Sequence, residues 1–344
     1  MKTKAAILVA QKKDLVIDEL EIPSLDVGKV LVEIKATRIC GSQLGEIDGV
    51  KGPDRYLPHL LGHEAGGIVR EVGQGVTRVK EGDHVVCHWR PAPGISGPCP
   101  TYDWKGSTVN AGHITTFSEY AVISESRLTP IDSKYDHEVS ALMADTITTG
   151  FGVISNDANV RIGQSVCVIG VGGIGLGAVL GAKLAGANPI IAVDLFDQKL
   201  DLAKKHGATH CVNSKELNLK DAIFEIIGRP EVDVMIEGTG KPKMIEKAYE
   251  LTSSLGTCVL YGVMGFDQNI SLNTLPLHFG KTITGSEGGQ SKPHLDIPRY
   301  LRMLDEGVFN LDDFVSHRIM LDEINIGIQR MKLGESIHSM IKFY

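Results

Sequence analysis

One stretch, from Ser165 to Asp194, constrains the fold of this chain more than any other. It reads SVCVIGVGGIGLGAVLGAKLAGANPIIAVD, a short apolar run, a glycine cluster, a helical pattern and a second apolar run that ends in an acid. This order predicts a strand, a tight turn, a helix and a second strand. Such a unit belongs to a parallel, doubly wound α/β sheet.

The glycine cluster in this stretch predicts a loop that binds a dinucleotide. Its members are Gly170, Gly172, Gly173, Ile174 and Gly175. Because the glycines lack a Cβ, backbone N–H groups at the start of the helix can approach a pyrophosphate. Asp194 ends the second strand, where a carboxylate accepts hydrogen bonds from the adenosine ribose and repels a 2′-phosphate. The stretch therefore favours NAD over NADP, although glycines alone also serve tight turns and close helix packing.

Length and composition exclude several classes of protein. The 344 residues exceed one ordinary core, which predicts two domains. A net charge of −7, from 35 basic and 42 acidic residues, disfavours nucleic acid as a partner. The first apolar run is too short for a secretory signal or a membrane span, and it predicts a strand. Six cysteines without framework spacing fit a reducing cytoplasm.

The order of strand and helix patterns divides the chain into two domains. Residues 1–146 are rich in short strands such as KVLVEIKAT and GGIVREVG, which predict an all-β, barrel-like domain. Residues 147–285 alternate apolar strands with helices, which predicts a parallel, doubly wound sheet. Residues 286–344 hold two helical patterns and a last strand, SMIKFY, and we expect them to complete the first domain.

A second set of residues, in the first domain, has the chemistry of zinc ligands. Cys40, His63 and Asp145 each fall at the edge of a predicted strand or helix. A thiolate, an imidazole and a carboxylate suit catalytic zinc, which takes three protein ligands and keeps one position open. Spacing alone does not prove such a site. A buried thiol, a satisfied loop histidine and a helix cap are the alternatives for these residues.

Four segments together resemble the zinc-containing medium-chain dehydrogenases, the superfamily of alcohol and polyol dehydrogenases. They are GHEAGGIVREVGQGVTRVKEGDHV, MADTITTG, the GVGGIG loop and LGESIHSMIKF, in the order and separation that this family shows. The resemblance covers essentially the whole chain. It implies a GroES-like β-barrel catalytic domain, a Rossmann domain that binds NAD, and one catalytic zinc ion.

The resemblance also implies roles for individual residues. Cys40, His63 and Asp145 take the positions of the zinc ligands, and Glu64 takes the place of the acid beside the metal. Ser42 matches the hydroxyl that receives the proton of the substrate. Besides the glycine loop and Asp194, the residues expected to contact the cofactor are Thr149, Lys199, Gly262 and Val263.

Several positions depart from the family pattern. Where many members hold a structural zinc with four cysteines, this chain has only Cys87 and Cys99, so we expect no structural zinc. Gln43 replaces an aspartate, and its amide oxygen is expected to accept a hydrogen bond from the zinc-binding histidine. Gly45 stands where a histidine often ends the proton relay. His338 replaces an arginine that reaches the pyrophosphate, which predicts a weaker or pH-dependent contact.

Three functions follow from these observations. The first is a zinc-dependent, NAD(H)-linked dehydrogenase that interconverts a secondary alcohol, such as a polyol, cyclitol or amino-sugar hydroxyl, and its carbonyl. The second is an aldehyde-directed or aromatic alcohol dehydrogenase, since GSEGGQSKPHLDIPRY resembles such branches. The third is a non-catalytic regulator that binds zinc and NAD. The resemblance also implies a homo-dimer or homo-tetramer joined at edge strands of the cofactor domains, an edge that CVLYGV followed by NISLNTLPL could supply.

Overall fold

The computed structural model describes residues 1–344 and divides them into two units. The first unit comprises Met1–Asp145 and Lys292–Tyr344, and the second comprises Thr146–Ser291. The sequence predicts a cofactor domain at residues 147–285. The observed unit starts one residue earlier, at 146, and extends to 291. None of the helices combines the length and the apolar composition that a membrane span requires.

Strands dominate the first unit and alternate with helices in the second. The strands are β1 (Lys2–Leu8), β2 (Val16–Glu21), β3 (Lys29–Arg38), β4 (His59–Leu60), β5 (Glu64–Val72), β6 (His84–His88), β7 (Thr101–Trp104), β8 (Ser107–Asn110), β9 (Tyr120–Ser124), β10 (Leu128–Ile131), β11 (Val166–Ile169), β12 (Ile190–Asp194), β13 (His210–Asn213), β14 (Val232–Glu237), β15 (Thr252–Leu260), β16 (Thr282–Gly285), β17 (His317–Ile319) and β18 (Ser339–Lys342). The α-helices are α1 (Gly41–Asp48), α2 (His137–Leu142), α3 (Thr148–Gly152), α4 (Gly173–Leu184), α5 (Asp197–His206), α6 (Leu219–Ile227), α7 (Pro242–Glu250), α8 (Pro293–Asp305) and α9 (Ile324–Lys332).

The first unit contains a closed barrel and a second sheet. Strands β1, β2, β7, β8 and β4 close the barrel, and β10, β6, β5, β3, β18 and β17 lie side by side in the other sheet, with β9 also paired to β3. The central strand β3 reads KVLVEIKATR, and eight of its ten residues are buried. It pairs with β5 through Thr37 and Ala65 and with β18 through Arg38 and Met340. The C-terminal segment therefore completes the sheet of the first unit.

The second unit is a parallel sheet with the strand order β13, β12, β11, β14, β15, β16. Counted from its own first strand, this is the 3-2-1-4-5-6 order of a doubly wound dinucleotide fold. Ligands of such sheets bind at the carboxyl ends of the strands where the order reverses, here between β11 and β14. The GroES-like barrel and Rossmann architecture expected from the sequence is confirmed.

The predicted edge of this sheet is wrong. CVLYGV lies at the end of β15, which pairs with β14 on one side and β16 on the other. The outermost strand is β16, and the segment 269–274 forms no strand. Pro276 lies in a short 3-10 turn, Leu275–Phe279, and a proline cannot donate to a strand ladder. The homo-oligomer itself stays a prediction.

Candidate metal centre and cofactor loop

Four side chains converge within the first unit. Cys40, His63, Glu64 and Asp145 each offer one ligand atom, and these four atoms lie within 4.8 Å of one another. The side chains are well shielded from water, since Cys40 is 8% exposed, Asp145 5% and Glu64 0%. Residues more than one hundred positions apart in the chain therefore form one cluster.

Local structure accounts for the direction of each side chain. Cys40 follows β3 and is the N-cap residue of α1. His63 immediately precedes β5, which Glu64 opens. Asp145 lies in a π-helical turn, Met143–Ile147, an irregularity that often occurs at functional sites. The helix-cap alternative for Asp145 is wrong, because Asp145 lies inside this turn and the N-cap residue of the following helix α3 is Ile147.

The chemistry of the cluster fits a zinc ion. The Nε2 atom of His63 is buried without a hydrogen-bond partner, 3.5 Å from Asp145 Oδ2 and 3.7 Å from Glu64 Oε1. Such an orphaned nitrogen beside carboxylates is costly unless a cation lies among them. Thiolate, imidazole and carboxylate are also the donors that zinc accepts in catalytic sites.

The pKa values of His63 and Glu64 are both raised in this buried, negatively charged cluster. Burial alone would lower the pKa of His63, but Asp145 and Cys40 raise it well above 6.5. Burial raises the pKa of Glu64 to about 7, against the opposing charge of Arg38. A divalent cation bound there would relieve the repulsion between these acids, because it would supply the positive charge that a protonated His63 otherwise provides.

Arg38 belongs to the centre although no motif pointed to it. Its guanidinium nitrogen forms an ion pair with Glu64 Oε1 at 2.8 Å and lies 3.6 Å from Asp145 Oδ2. Arg38 is only 2% exposed. Burial opposes its charge, but Glu64, Cys40 and Asp145 raise its pKa. The available signal was an arginine inside a strand, two residues before a predicted ligand.

Gln43 contacts His63 in a different way from the one expected. Its amide oxygen accepts the backbone N–H of Cys40 at 2.7 Å, and its amide nitrogen lies 2.6 Å from His63 Nδ1. The amide oxygen is therefore directed at the backbone N–H of Cys40, the N-cap residue of α1, and not at His63.

Of the aromatic residues Trp89, Tyr102 and Trp104, one lies at the cluster. Trp89 donates its indole N–H to Asp145 Oδ1 at 3.0 Å, and its ring centroid is 6.5 Å from that of His63. Tyr102 is buried, and its hydroxyl accepts the N–H of Val122. Trp104 is half-buried and donates to Asp18 Oδ2 at 2.9 Å.

His338 does not offer the titrating cation that the sequence suggested. It is fully buried, its Nδ1 lies 2.6 Å from the carbonyl oxygen of Phe314, and its ring stacks on that of Phe314. Burial, reinforced by the charge of Arg38, lowers its pKa well below 6.5. The histidine is therefore neutral at physiological pH, and the predicted pH-dependent contact loses its basis.

The two cysteines of the lobe that often holds structural zinc lie in unlike places. Cys87 is fully buried in β6 within an apolar cluster, and Cys99 is exposed. Burial raises the pKa of the Cys87 thiol, which disfavours the thiolate that zinc requires. The absence of a structural zinc ion stays a prediction.

The glycine loop of the second unit begins at the carboxyl end of β11. Gly170 adopts a left-handed conformation with φ of 87°, Gly172 caps α4, and Gly173 and Ile174 begin that helix. A Cβ on Gly175 would lie 2.0 Å from the carbonyl oxygen of Gly170, so only glycine fits there. The helix N-terminus and its unobstructed approach are the features that a pyrophosphate needs.

Asp194 ends β12, as predicted, and its carboxylate also holds the loop. Oδ2 accepts the N–H of Val171 at 2.9 Å, and Oδ1 accepts the N–H of Leu195 at 2.7 Å. The acid therefore connects two adjacent strand ends, in addition to any contact with a ribose. Lys199 lies nearby on α5, with its ammonium 4.9 Å from the ring centroid of Phe196.

The remaining predicted cofactor residues are also in the second unit. Thr149 lies on α3 and is 6% exposed. Gly262 follows β15, and a Cβ there would lie 2.4 Å from the backbone nitrogen of Gly240, so the turn after β15 packs tightly on the turn after β14. Val263 is 61% exposed. Gly262 and Val263 thus lie at the carboxyl end of the sheet, where ligands of this fold bind.

Comparison with known families gives two matches along the chain. Residues 26–133 match the model described as the alcohol dehydrogenase GroES-like domain. Residues 173–306 match the model described as zinc-binding dehydrogenase. The two matches fall in the barrel unit and the Rossmann unit respectively, with the last residues of the second match entering α8.

Individual relatives extend over the whole chain. S-(hydroxymethyl)glutathione dehydrogenase of Escherichia coli O157:H7 is 33% identical over 378 aligned positions, which cover 100% of both chains. The crystal structure of benzyl alcohol dehydrogenase from Acinetobacter calcoaceticus has a TM-score of 0.90 and 29% identity, with 100% of both chains covered. The 2R,3R-butanediol dehydrogenase from Bacillus subtilis has a TM-score of 0.80 and 29% identity, with 99% of this chain and 100% of that chain covered.

Proposed function

The chain belongs to the zinc-containing alcohol dehydrogenase family and is an oxidoreductase, and from this premise we propose that it interconverts a secondary alcohol and its carbonyl with NAD as the hydride acceptor. The observation that carries the proposal is the cluster of four ligand atoms within 4.8 Å. A polyol, a cyclitol or an amino-sugar hydroxyl is the substrate class that the sequence favours.

In this proposal Cys40, His63 and Asp145 hold one zinc ion, and Glu64 lies beside it as a further acid. Bound zinc supplies a Lewis acid that polarises the oxygen of the alcohol and lowers its pKa. The donor set, the burial of Glu64 and the orphaned Nε2 of His63 support this assignment. Ser42 is assigned the proton of the substrate by the family resemblance, because its hydroxyl can both donate and accept; its Oγ lies beside the cluster, 3.5 Å from His63 Nδ1.

The second unit provides the site for NAD in this proposal. The pyrophosphate is placed at the start of α4, next to the glycine loop, because the N–H groups and the positive end of the helix dipole point there. The Asp194 carboxylate accepts hydrogen bonds from the ribose hydroxyls, and Lys199 lies beside it. Thr149, Gly262 and Val263 are assigned to the nicotinamide end. The position of Asp194 at the end of β12 supports NAD over NADP.

An aromatic or other primary alcohol is a second candidate substrate. The benzyl alcohol dehydrogenase structure has a TM-score of 0.90, whereas the butanediol dehydrogenase has a TM-score of 0.80. The indole of Trp89, 6.5 Å from the ring of His63, also favours an aromatic ligand.

The test is a panel of substrates with purified protein of known metal content. Benzyl alcohol, 2R,3R-butanediol, S-(hydroxymethyl)glutathione and several polyols are compared by kcat/KM with NAD and with NADP. We expect one zinc per chain and a secondary alcohol at least tenfold above benzyl alcohol. The reverse ranking would establish the second candidate. Two zinc ions per chain would contradict the assignment of Cys87 and Cys99.

Matched cysteine variants test the metal centre. We expect Cys40→Ala to lose both zinc and turnover, because three ligands are the minimum for a catalytic site. Cys99→Ala is the control, since this exposed cysteine lies outside the cluster, and it should keep both. Full zinc occupancy in Asp145→Ala would remove that residue from the ligand set.

A further inference from the structure

The two oxygens of Asp145 have different surroundings. Oδ2 faces the other ligand atoms, 3.5 Å from His63 Nε2 and 3.8 Å from Cys40 Sγ. Oδ1 accepts the indole N–H of Trp89 at 3.0 Å. The carboxylate is therefore oriented so that one oxygen points into the cluster and the other is held at its edge.

This orientation matters because a carboxylate can bind a metal through one oxygen or through both. Catalytic zinc must keep one coordination position for the substrate. Binding through both oxygens of Asp145 would fill that position. We propose that Trp89 is a positioning residue whose N–H limits Asp145 to one metal-binding oxygen and so keeps the substrate position open, a role that rests on the proposed zinc centre.

Trp89 is itself fixed in place from two sides. Its carbonyl oxygen accepts from the guanidinium of Arg127 at 2.6 Å, and the guanidinium of Arg90 lies 5.7 Å from the centre of its ring. The indole carries a single donor and no charge. It therefore orients Asp145 without neutralising it, unlike the guanidinium of Arg38, which lies nearest to Glu64.

The chain contains a matched control for this interaction. Trp104, the only other tryptophan, donates its indole N–H to Asp18 Oδ2 at 2.9 Å, nearly the same bond length. Asp18 is not part of the metal cluster. Trp104→Phe removes the same type of bond, from the same residue type, at a place where no metal is expected.

The experiment replaces zinc by Co²⁺ in the full-length protein and compares Trp89→Phe with Trp104→Phe. The visible absorption of Co²⁺ is intense with four ligands and weak with five or six. We expect the Trp89→Phe spectrum to weaken because Asp145 then binds through both oxygens, and kcat to fall about 10- to 100-fold, as for other residues that orient metal ligands. Trp104→Phe should match wild type in both measurements.

Each outcome decides the proposal. A Trp89→Phe spectrum identical to that of wild type would overturn it, even if turnover falls, because the loss would then concern substrate contact alone. An equal change in Trp104→Phe would overturn it as well. Wild-type protein that binds no Co²⁺ would refute the metal centre, and with it the proposed function. A spectrum that weakens in Trp89→Phe and not in Trp104→Phe supports the positioning role of Trp89.

Discussion

Removal of the charge of Arg38 should destabilise the first unit more than the loss of a surface ion pair would. Arg38 pairs with Glu64 at 2.8 Å, and the two side chains are 2% and 0% exposed. Arg38→Met keeps most of the aliphatic volume but leaves Glu64 buried without its cation. The acid must then remain charged at a high desolvation cost or take up a proton.

The expected size of the effect follows from this burial. The loss of one partner of a buried pair costs about 3–5 kcal/mol, whereas an exposed pair contributes about 0–1 kcal/mol. Domains are stable by only about 5–15 kcal/mol, so the change is large. Protonation of Glu64 relieves the cost, and the pKa of this group rises further without Arg38. The penalty should therefore be greater at pH 8 than at pH 5.

Urea denaturation of metal-free protein measures this penalty. The control is Arg318→Met, in the same unit, where the guanidinium forms two hydrogen bonds of 2.8 Å with Glu138 but is 57% exposed. Glu64→Gln added to Arg38→Met should recover much of the lost stability, because position 64 then carries no buried charge that lacks its cation. If Arg38→Met costs no more than Arg318→Met at pH 8, the reasoning about the buried pair is wrong.

Three further predictions concern other positions. Gln43→Glu should tighten zinc binding about tenfold in chelator competition, because a carboxylate can accept from both Cys40 N–H and His63 Nδ1–H; weaker binding would contradict this. Asp194→Gly should reduce kcat/KM with NAD by about a hundredfold and with NADP much less, and equal wild-type values for the two cofactors would refute the ribose contact. Burial lowers the pKa of His88 from 6.5 to about 4, so metal-free protein should lose about 3 kcal/mol of stability as pH falls from 6.5 to 4. His88→Gln should flatten that part of the urea-denaturation profile, and an unchanged slope would contradict the assignment.

The second unit shows how much local sequence can determine. The apolar runs, the glycine turn and the acid at Asp194 lie within thirty residues, and each feature depends on neighbours along the chain. Gly175 is an example, because its Cβ would collide with Gly170 only five positions earlier. The sheet edge was misjudged for the opposite reason, since an apolar run such as CVLYGV does not reveal which strands pair with it.

The metal cluster shows what local sequence leaves open. Cys40, His63 and Asp145 could be proposed by residue type and by family resemblance, but spacing did not bring them together. Their meeting depends on β3 and β5 pairing and on the π-helical turn at Met143–Ile147, and no short-range pattern encodes either.

The polar partners that orient the candidate ligands are visible only in the folded chain. Arg38 and Trp89 reach the cluster from β3 and from just after β6, and Gln43 uses its amide oxygen for the Cys40 backbone rather than for His63. Periodicity and side-chain chemistry along the chain are enough to predict the architecture and the types of candidate ligand. Hydrogen-bond direction and buried charge pairing were decided by the fold, because they depend on distances of a few ångströms between residues far apart in the chain.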